Sequence, residues 1–336
     1  MRNKMEQGIE DIEIYDLYMS VGIACRPAMQ LVKNDLRFES APLDWQMSYS
    51  LDTVIHLFNT KFDDFFSSII EDEKREDEIE NRWIIDTKNH IISIHHFPKS
   101  IEASKSQNPF IIKMKKRYEK LDHRLRESKR IVIVSNRTNS INSFQQFLEQ
   151  FSNIYPHLII KHINIRNDEK MSSQLYEKLN YIVSNKISIE EYCFNDTYDS
   201  ITGEKFSPSG NDEIWQQILR RYYVRRYYEE WSSFKKKHKN IIVYGAGKRC
   251  RELIDKFDKY GIRINGIAVA NEKTNPSMIN QYCVRQIDKF NCENEVIISL
   301  SDKKESKQIK KHLLEKGYRR VMYTDSNLMI SDSINN

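Results

Sequence analysis

The sequence predicts an α/β protein of two domains, and three observations support this prediction. The chain has 336 residues, which is enough for two domains at roughly 150 residues each. Short apolar runs alternate with longer segments of helical periodicity, as is typical of strands alternating with helices. Glycines cluster at positions 245, 247, 261 and 266, and this cluster indicates a second sheet domain.

The predicted N-terminal domain covers residues 1–183 and contains both strands and helices. A strand over residues 12–22 comes before a helix over 26–33. The other predicted elements follow in chain order: a helix at 51–66, a charged run at 71–78, strands at 82–86 and 90–97, a helix at 110–128, a strand at 130–135, a helix at 141–151 and a strand at 158–165.

Residues 184–237 are predicted to connect the two domains. Turn-forming residues at 195–197 and 207–210 indicate a loop over 184–210. Residues 211–239 contain no proline or glycine and predict one helix, in which large aromatic side chains recur at helical spacing. This stripe consists of Tyr223, Tyr227, Trp231 and Phe234. It favours packing against a domain, or against a second copy of the chain in a homo-oligomer, over binding to single-stranded nucleic acid or to a membrane surface.

The predicted C-terminal domain covers residues 238–325 and begins with a βαβ unit. A strand at 241–244 leads through a Gly-Ala-Gly turn into a helix at 248–260 and a strand at 263–270. A strand at 295–299, a helix at 303–316 and a short strand at 320–323 complete a small parallel sheet. Residues 326–336 are predicted to be a polar tail.

Composition and charge exclude several classes of protein. Hydrophobic residues make up 39% of the chain and aromatic residues 11%, so general disorder is excluded. The net charge of +5 provides no basic tail for nucleic acid. No apolar run approaches the roughly 20 residues that span a bilayer, and the first residues are too acidic for a signal peptide. We therefore predict a cytoplasmic protein without a transmembrane segment.

Cys25 is the candidate nucleophile. It lies where a predicted strand ends and a helix begins, with Pro27 close to the first helical turn. Unpaired amides and the partial positive charge there stabilise a thiolate and can donate to an oxyanion. A buried structural cysteine is the commoner explanation of such a residue. The remaining cysteines form no C-x-x-C pair, so neither a disulfide framework nor a metal site is predicted; they are Cys193, Cys250, Cys283 and Cys292.

The predicted strand at 90–97 supplies a candidate general base. His95 and His96 are adjacent and would point to opposite faces, with His95 on the more polar face beside Ser93. His95 is therefore favoured, although an exposed histidine without a catalytic role is commoner. Three further histidines are weaker candidates; they are His56, His90 and His123.

The segment MSVGIACRPAMQLVKNDLRFESAPLDW and the later IHHF resemble a family of bacterial papain-like cysteine peptidases linked to surface polysaccharides. The family pattern is S-L-G-x-x-C, then L-R-x-x-S-x-P-F-D-W, then H-D-F. The resemblance covers about residues 15–170 and implies a papain-like N-terminal domain. Within it, Cys25 matches the family cysteine and His95 the family histidine. The other matches are Leu36, Arg37, Ser40, Pro42, Asp44 and Trp45.

The third catalytic residue stays open, because His96 replaces the family aspartate. Asp44 is favoured by the motif, with helix or turn capping as its alternative role. Asn136 is favoured by the Cys, His, Asn order of papain-like sites, and His96 is an alternative base. Arg37 and Trp45 are candidates for substrate binding, although an arginine in an ordinary ion pair is equally expected.

The glycine turn of the C-terminal domain is a candidate nucleotide site. Gly245 and Gly247 provide two glycines of G-x-G-x-x-G, but Cys250 occupies the third position and Ala270 replaces the acidic residue that binds ribose. Full NAD binding is therefore not expected. The segment is similar to small Rossmann-like modules of bacterial sugar-modifying and capsule enzymes, which implies a nucleotide or nucleotide-sugar ligand; a purely architectural βαβ unit is the alternative. The candidate residues are Gly245, Ala246, Gly247, Lys248 and Arg249.

Together these patterns predict a thiol-dependent hydrolase or acyl or amide transferase. The resemblance implies a small-molecule or glycan substrate and a role in making or modifying a bacterial surface glycan. No cofactor is required for this chemistry. The alternative is a non-catalytic scaffold protein of a polysaccharide pathway, which would bind a nucleotide or nucleotide-sugar in its C-terminal domain.

Overall fold

The computed structural model describes residues 12–37, 39–72, 80–197, 210–325 and 328–332. The chain divides into two compact units, with the boundary between Arg226 and Tyr227. Most of the charged run predicted at 71–78 and of the turn predicted at 207–210 lies outside the described residues. No helix in the described ranges is long and apolar enough to cross a membrane.

The N-terminal unit contains most of the secondary structure. In chain order its elements are β1 (Glu13–Tyr15), β2 (Leu17–Ser20), α1 (Arg26–Lys33), β3 (Gln46–Met47), α2 (Leu51–Asn59), β4 (Ile69–Glu71), β5 (Ile84–Asp86), β6 (Ile91–Ser93), α3 (Ala103–Glu127), β7 (Arg130–Ser135), α4 (Ile141–Ile154), β8 (Ile159–Asn167), β9 (Glu177–Ile182), β10 (Ile187–Phe194), α5 (Asp212–Leu219) and β11 (Tyr222–Val224). Helix α6 (Arg225–Lys237) crosses the boundary between the units.

A five-stranded sheet in the order β2-β7-β8-β10-β9 organises this unit. Its first four strands are parallel and β9 is antiparallel. Strand β7 is buried from Ile131 to Val134, as expected for a strand covered on both faces. The main core contains aromatic side chains of α2 and α4, where the Phe58 and Phe151 rings lie 5.1 Å apart. A smaller antiparallel sheet has the order β3-β6-β5-β4.

Several boundaries in this unit differ from the sequence prediction for physical reasons. The strand predicted at 12–22 divides into β1 and β2 at Asp16, whose carboxylate accepts from the Lys129 and Arg130 amides. Helix α2 ends at Asn59 because Lys61 and Phe62 adopt the left-handed conformation at φ 54° and 60°. Helix α3 begins at Ala103 rather than at 110. The strand predicted at 90–97 ends at Ser93.

The segment predicted as a connector also differs from the structure. Residues 187–194 form β10, which pairs with β8, instead of a loop. Residues 222–224 form β11, which pairs with β1, so the helix predicted at 211–239 is interrupted. The buried Tyr223 therefore does not share a helix with Tyr227. In the C-terminal unit Trp231 stacks on Tyr260 at a centroid distance of 5.7 Å.

The C-terminal unit is built on one sheet. Its elements are β12 (Ile241–Tyr244), α7 (Lys248–Tyr260), β13 (Gly266–Val269), β14 (Met278–Ile279), β15 (Tyr282–Gln286), β16 (Glu295–Ile298), α8 (Lys303–Glu315), β17 (Val321–Thr324) and β18 (Ile330–Ser331). The strand order is β14-β15-β13-β12-β16-β17-β18, and the five inner strands are parallel. Strands β14 and β15 were not predicted, and part of the expected tail forms β18 against β17.

The turn after β2 has no room for an additional atom. A Cβ atom on Gly22 would lie 2.6 Å from Oδ1 of Asn136 and 2.6 Å from Cγ of Pro27. A Cβ atom on Gly247 would meet no atom within 4 Å. We therefore expect Gly22→Ala to reduce the free energy of unfolding by about 1–3 kcal/mol, as overpacking does, and Gly247→Ala to leave it nearly unchanged.

Amide hydrogen exchange of peptides from β2 and β7 measures this effect within the N-terminal unit. Faster exchange in Gly22→Ala than in Gly247→Ala is the expected result. Equal protection in the two variants would show that the turn has room to adjust.

Candidate active site

The structure brings Cys25 and His95 together. The Sγ atom of Cys25 lies 3.2 Å from Nε2 of His95, although 70 residues separate them in sequence. Cys25 is the N-cap residue of α1 and is half-buried, while His95 is exposed in the bend that follows β6. A cysteine thiol within hydrogen-bond reach of an imidazole is the arrangement that nucleophilic catalysis by cysteine requires.

Neighbouring strand ends hold the turn that carries Cys25. Strands β2 and β7 are adjacent and parallel, so their carboxyl ends lie at the same edge of the sheet. The Ile23 amide donates to Oδ1 of Asn136 at 3.1 Å, and the Ser48 amide donates to the Ile23 carbonyl at 3.1 Å. Asn136 therefore binds the turn before Cys25, and no hydrogen bond joins it to His95 in the described part of the chain.

Arg137 is a positioning residue that the sequence analysis missed. Its buried guanidinium donates to three backbone carbonyls, those of Val21 at 2.6 Å, Tyr49 at 2.8 Å and Gly22 at 3.4 Å. Asn164 holds the Arg137 backbone, accepting from its amide and donating to its carbonyl, both at 3.0 Å. An arginine two residues beyond a strand with an apolar centre, residues 131–134, was the signal that could have identified it.

Asp44 organises the loop on the other side of Cys25. It is 3% exposed and accepts from the Ser20 hydroxyl at 2.8 Å and the Ala41 amide at 2.7 Å. Arg37 forms an ion pair with it at 2.7 Å. Burial raises the pKa of Asp44, and the Arg37 charge opposes that increase. Among the described residues no hydrogen bond links Asp44 to His95, so its contacts are those of a positioning residue.

Trp45 connects this loop to His95. The two rings meet edge to face at a centroid distance of 5.8 Å and an angle of 81°. The Arg37 guanidinium lies 5.5 Å from the centre of the Trp45 ring. Trp45 thus contacts the candidate base, and among the described residues Asp44 is connected to His95 through Arg37 and Trp45.

His96 lies apart from the thiol. Its Nδ1 is 3.3 Å from the Ser93 hydroxyl, and its ring packs 4.9 Å from the Phe110 ring of α3. Burial, together with the charges of Lys113 and Arg117, lowers the pKa of His96 to about 3. The strand-face argument for preferring His95 to His96 is wrong, because β6 ends before either residue; the bend after β6 separates them instead.

The pKa directions of the pair oppose the sequence expectation of a stabilised thiolate. Burial raises the pKa of the Cys25 thiol, and the Asp44 charge adds to this effect. Burial lowers the pKa of His95. Both directions favour a thiol beside a neutral imidazole over a thiolate–imidazolium pair. Desolvation thus works against the stabilisation of a thiolate by the start of α1.

The glycine turn of the C-terminal unit offers an open helix start. Gly245 adopts φ 111°, and Gly247 caps α7 without a side-chain hydrogen bond. Arg249 is already engaged, since its guanidinium donates to Thr324. Cys250 is buried in the core, which raises its pKa to about 12.

A cavity of about 850 Å³ lies at a different place in the same unit. It is at the amino end of β13, and Lys235, Asp258 and Arg263 are among its lining residues. In the described ranges no group of three or more His, Cys, Asp or Glu side chains is placed to hold a metal ion.

Removing the partner of Asp44 should destabilise the N-terminal unit in a pH-dependent manner. We expect Arg37→Met to reduce the free energy of unfolding by about 3–5 kcal/mol near pH 8, because it leaves a buried carboxylate unpaired. Without the cation, the folded-state pKa of Asp44 rises further. The cost is then present above that pKa and decreases as the carboxyl binds a proton, so it should be smaller near pH 5.

Urea unfolding at the two pH values measures this difference. The control is Arg126→Met, which removes an exposed ion pair with Asp122 on α3 and should cost about 1 kcal/mol or less. An equal cost of Arg37→Met at both pH values would mean that lost packing on Trp45, not the unpaired charge, causes it.

Comparison with known proteins relates part of the chain to a described family. No curated protein and no solved structure matches the chain. A family model described as "Putative papain-like cysteine peptidase (DUF1796)" matches residues 16–157. This stretch contains the contact between Cys25 and His95 as well as Arg37, Asp44 and Trp45, so the segment that builds the candidate site is the segment similar to the papain-like cysteine peptidase family.

Proposed function

We propose that the N-terminal unit is a cysteine hydrolase that forms an acyl-thioester on Cys25. The observation that carries this proposal is the 3.2 Å contact between the Cys25 thiol and Nε2 of His95. It lies within the residues that match the papain-like peptidase family. Two residues so far apart in sequence would rarely meet in this way for packing alone, because one is exposed and the other half-buried.

His95 acts as a general base in the first step. As Sγ of Cys25 attacks the substrate carbonyl carbon, the thiol proton passes to Nε2, so charge develops only while the S–C bond forms. Amides in the first turn of α1 have no partner within the helix and can donate to the oxyanion, apart from Pro27, which has no N–H.

The second half of the reaction reverses this proton transfer. The His95 imidazolium gives its proton to the leaving amine or alkoxide as the C–N or C–O bond breaks, which leaves a thioester on Cys25. Neutral His95 then accepts a proton from the incoming nucleophile as its oxygen or nitrogen bonds to the acyl carbon. The S–C bond breaks, and the proton passes from His95 to Sγ of Cys25, which restores the thiol. Water as nucleophile gives hydrolysis, and an amine or hydroxyl acceptor gives transfer.

The proposal also includes transfer of the acyl group to an acceptor and a glycan as the substrate. Their support is the resemblance of the Cys25, Trp45 and His95 motifs to bacterial peptidases linked to surface polysaccharides. In this assignment Arg37 and Trp45 line the substrate side of His95, while Asp44, Asn136 and Arg137 position the two loops.

Acylation by p-nitrophenyl acetate tests the proposed nucleophile and base. We expect acetylation of Cys25 with release of nitrophenolate near pH 7, and a rate at least about 100-fold lower in His95→Ala. His96→Gln should stay close to wild type. Because burial lowers the pKa of His95, the imidazole remains neutral, and acylation should persist, at pH values somewhat below the usual range of histidine titration.

Peptide mapping by mass spectrometry assigns the acetyl group to one cysteine. The exposed Cys283 is the internal control for an ordinary thiol. Acetylation of Cys25 no faster than of Cys283, with no effect of His95→Ala, would contradict the proposed function.

We also propose a nucleotide-binding role for residues 245–249. The chain adds β13 and β15 on one side of β12, and then β16 and β17 on its other side. The strand order therefore reverses between β12 and β16. Ligands of such sheets bind where the strand order reverses, outside the carboxyl ends of the strands. Support also comes from the open space at Gly247, where a phosphate could approach the start of α7.

UDP titration measured by calorimetry tests this second role. We expect Gly247→Ala to weaken UDP binding by about tenfold or more, because its methyl group would occupy the space next to the helix amides. Lys235→Gln alters the cavity at the other end of β13 and should leave binding unchanged. The absence of binding by wild type, or sensitivity to Lys235→Gln alone, would contradict the assignment to residues 245–249.

A further inference from the structure

Four basic side chains of α3 share one groove. Lys113, Lys116, Arg117 and Lys120 line it together with Pro109 and Ile112, and its volume is about 370 Å³. Their spacing of three, four and seven residues places them on one face of the helix. The exposed Ile112 and Pro109 give the groove an apolar wall.

These four cations differ from the other basic residues of the same helix. Within the described ranges none of the four lies within ion-pair distance of a carboxylate. By contrast, Lys105 pairs with Glu102, Lys115 with Asp63, and Arg126 with Asp122. Positive charge without an ion-pair partner is thus concentrated in the groove, within the described ranges, while these other basic residues of α3 are paired with carboxylates.

The helix that carries the groove packs against the residue next to His95. Phe110, one helical turn before Lys113, packs its ring 4.9 Å from the ring of His96, the residue next to His95. The charges of Lys113 and Arg117 act on His96, and those of Asp44 and Arg37 act on Arg117. The loop of Asp44 contacts His95 through Trp45, so the groove and the candidate site are linked through His96 and Asp44.

We infer that the groove binds a negatively charged group, a carboxylate or a phosphate, of the substrate whose carbonyl is attacked by Cys25. This inference rests on the proposed function, because it assigns a substrate class to that site. A concave surface with charge of one sign and low-dielectric walls concentrates counter-ions. Arg117 is half-buried and can grip an oxyanion with two parallel N–H donors.

The lining of the groove favours such a substrate over nucleic acid. Single strands bind through aromatic side chains on which bases stack, and the residues lining this groove include no aromatic side chain. Single-stranded nucleic acid is therefore an outcome of the test, not the proposal.

Competition between two alkylating reagents tests the inference. Iodoacetate is an anion and iodoacetamide is neutral, and both alkylate the same thiol. We expect the ratio of the iodoacetate rate to the iodoacetamide rate to be higher at Cys25 than at Cys283. In a triple variant, Lys113→Gln, Lys116→Gln and Lys120→Gln, the Cys25 ratio should fall by about tenfold at low ionic strength, the lower end of electrostatic focusing.

A matched control removes the same number of charges from the same helix. The triple variant Lys105→Gln, Lys115→Gln and Arg126→Gln carries the same net charge, but its lost cations were paired. Its Cys25 ratio should stay near that of wild type. In about 1 M NaCl, where the screening length is about 3 Å, the wild-type preference for iodoacetate should disappear. Equal ratios in wild type and both triple variants would overturn the inference.

The readout separates this inference from the proposed function. If Cys25 reacts slowly with both reagents and does not respond to His95→Ala, the proposed function fails, while the ratio still reports on the groove. If His95→Ala slows alkylation but the groove variant keeps the wild-type ratio, only the groove assignment fails.

Added anions identify the group that is bound. Greater suppression of iodoacetate labelling by inorganic phosphate than by malonate, at equal ionic strength, would assign a phosphate, and the reverse would assign a carboxylate. Suppression by neither beyond that of NaCl overturns the inference. A thymidine oligonucleotide that blocks labelling by both reagents overturns it in favour of nucleic acid.

Discussion

One buried guanidinium fixes both sides of the candidate site. Arg137 donates to carbonyls of Val21 and Gly22, which come just before Cys25, and to the carbonyl of Tyr49, which follows the Trp45 loop. Hydrogen bonds to a charged donor are about twice as strong as neutral ones, and burial makes their loss costly. The 3.2 Å contact of Cys25 with His95 needs both segments in place, so it depends on this one cation.

The buried Asp44 carboxylate holds the loop that carries Trp45. Asp44 is satisfied by a hydroxyl, an amide and the Arg37 charge, and Arg37 also lies against Trp45. Burying these charges costs solvation free energy that their attraction only partly returns. These contacts fix the position of the Trp45 ring, which packs on His95. They connect it through Arg37 and Asp44 to Ser20 of β2. The N-terminal unit thus uses buried charge to hold loops that strands and helices alone would leave free.

Two residues of the site, Cys25 and His95, could be found from the sequence, but the contacts that place them could not. Cys25 and His95 were singled out from a helix start and from a strand, but β6 ends at Ser93, so strand alternation does not separate the histidines. Strand β11 was missed because its partner β1 is about 200 residues away, and a pairing so distant leaves no local pattern. Arg137 was missed for the same reason, since its role depends on carbonyls from two distant segments.

Position 96, where the pattern of the resembled family has an aspartate, supplies no negative charge beside His95. Burial holds the pKa of His96 to about 3, so position 96 carries no charge at neutral pH and stabilises no imidazolium. In the described part of the chain no hydrogen bond reaches Nδ1 of His95 either. Since burial also raises the pKa of Cys25, the proposed mechanism passes the thiol proton to His95 as the S–C bond forms.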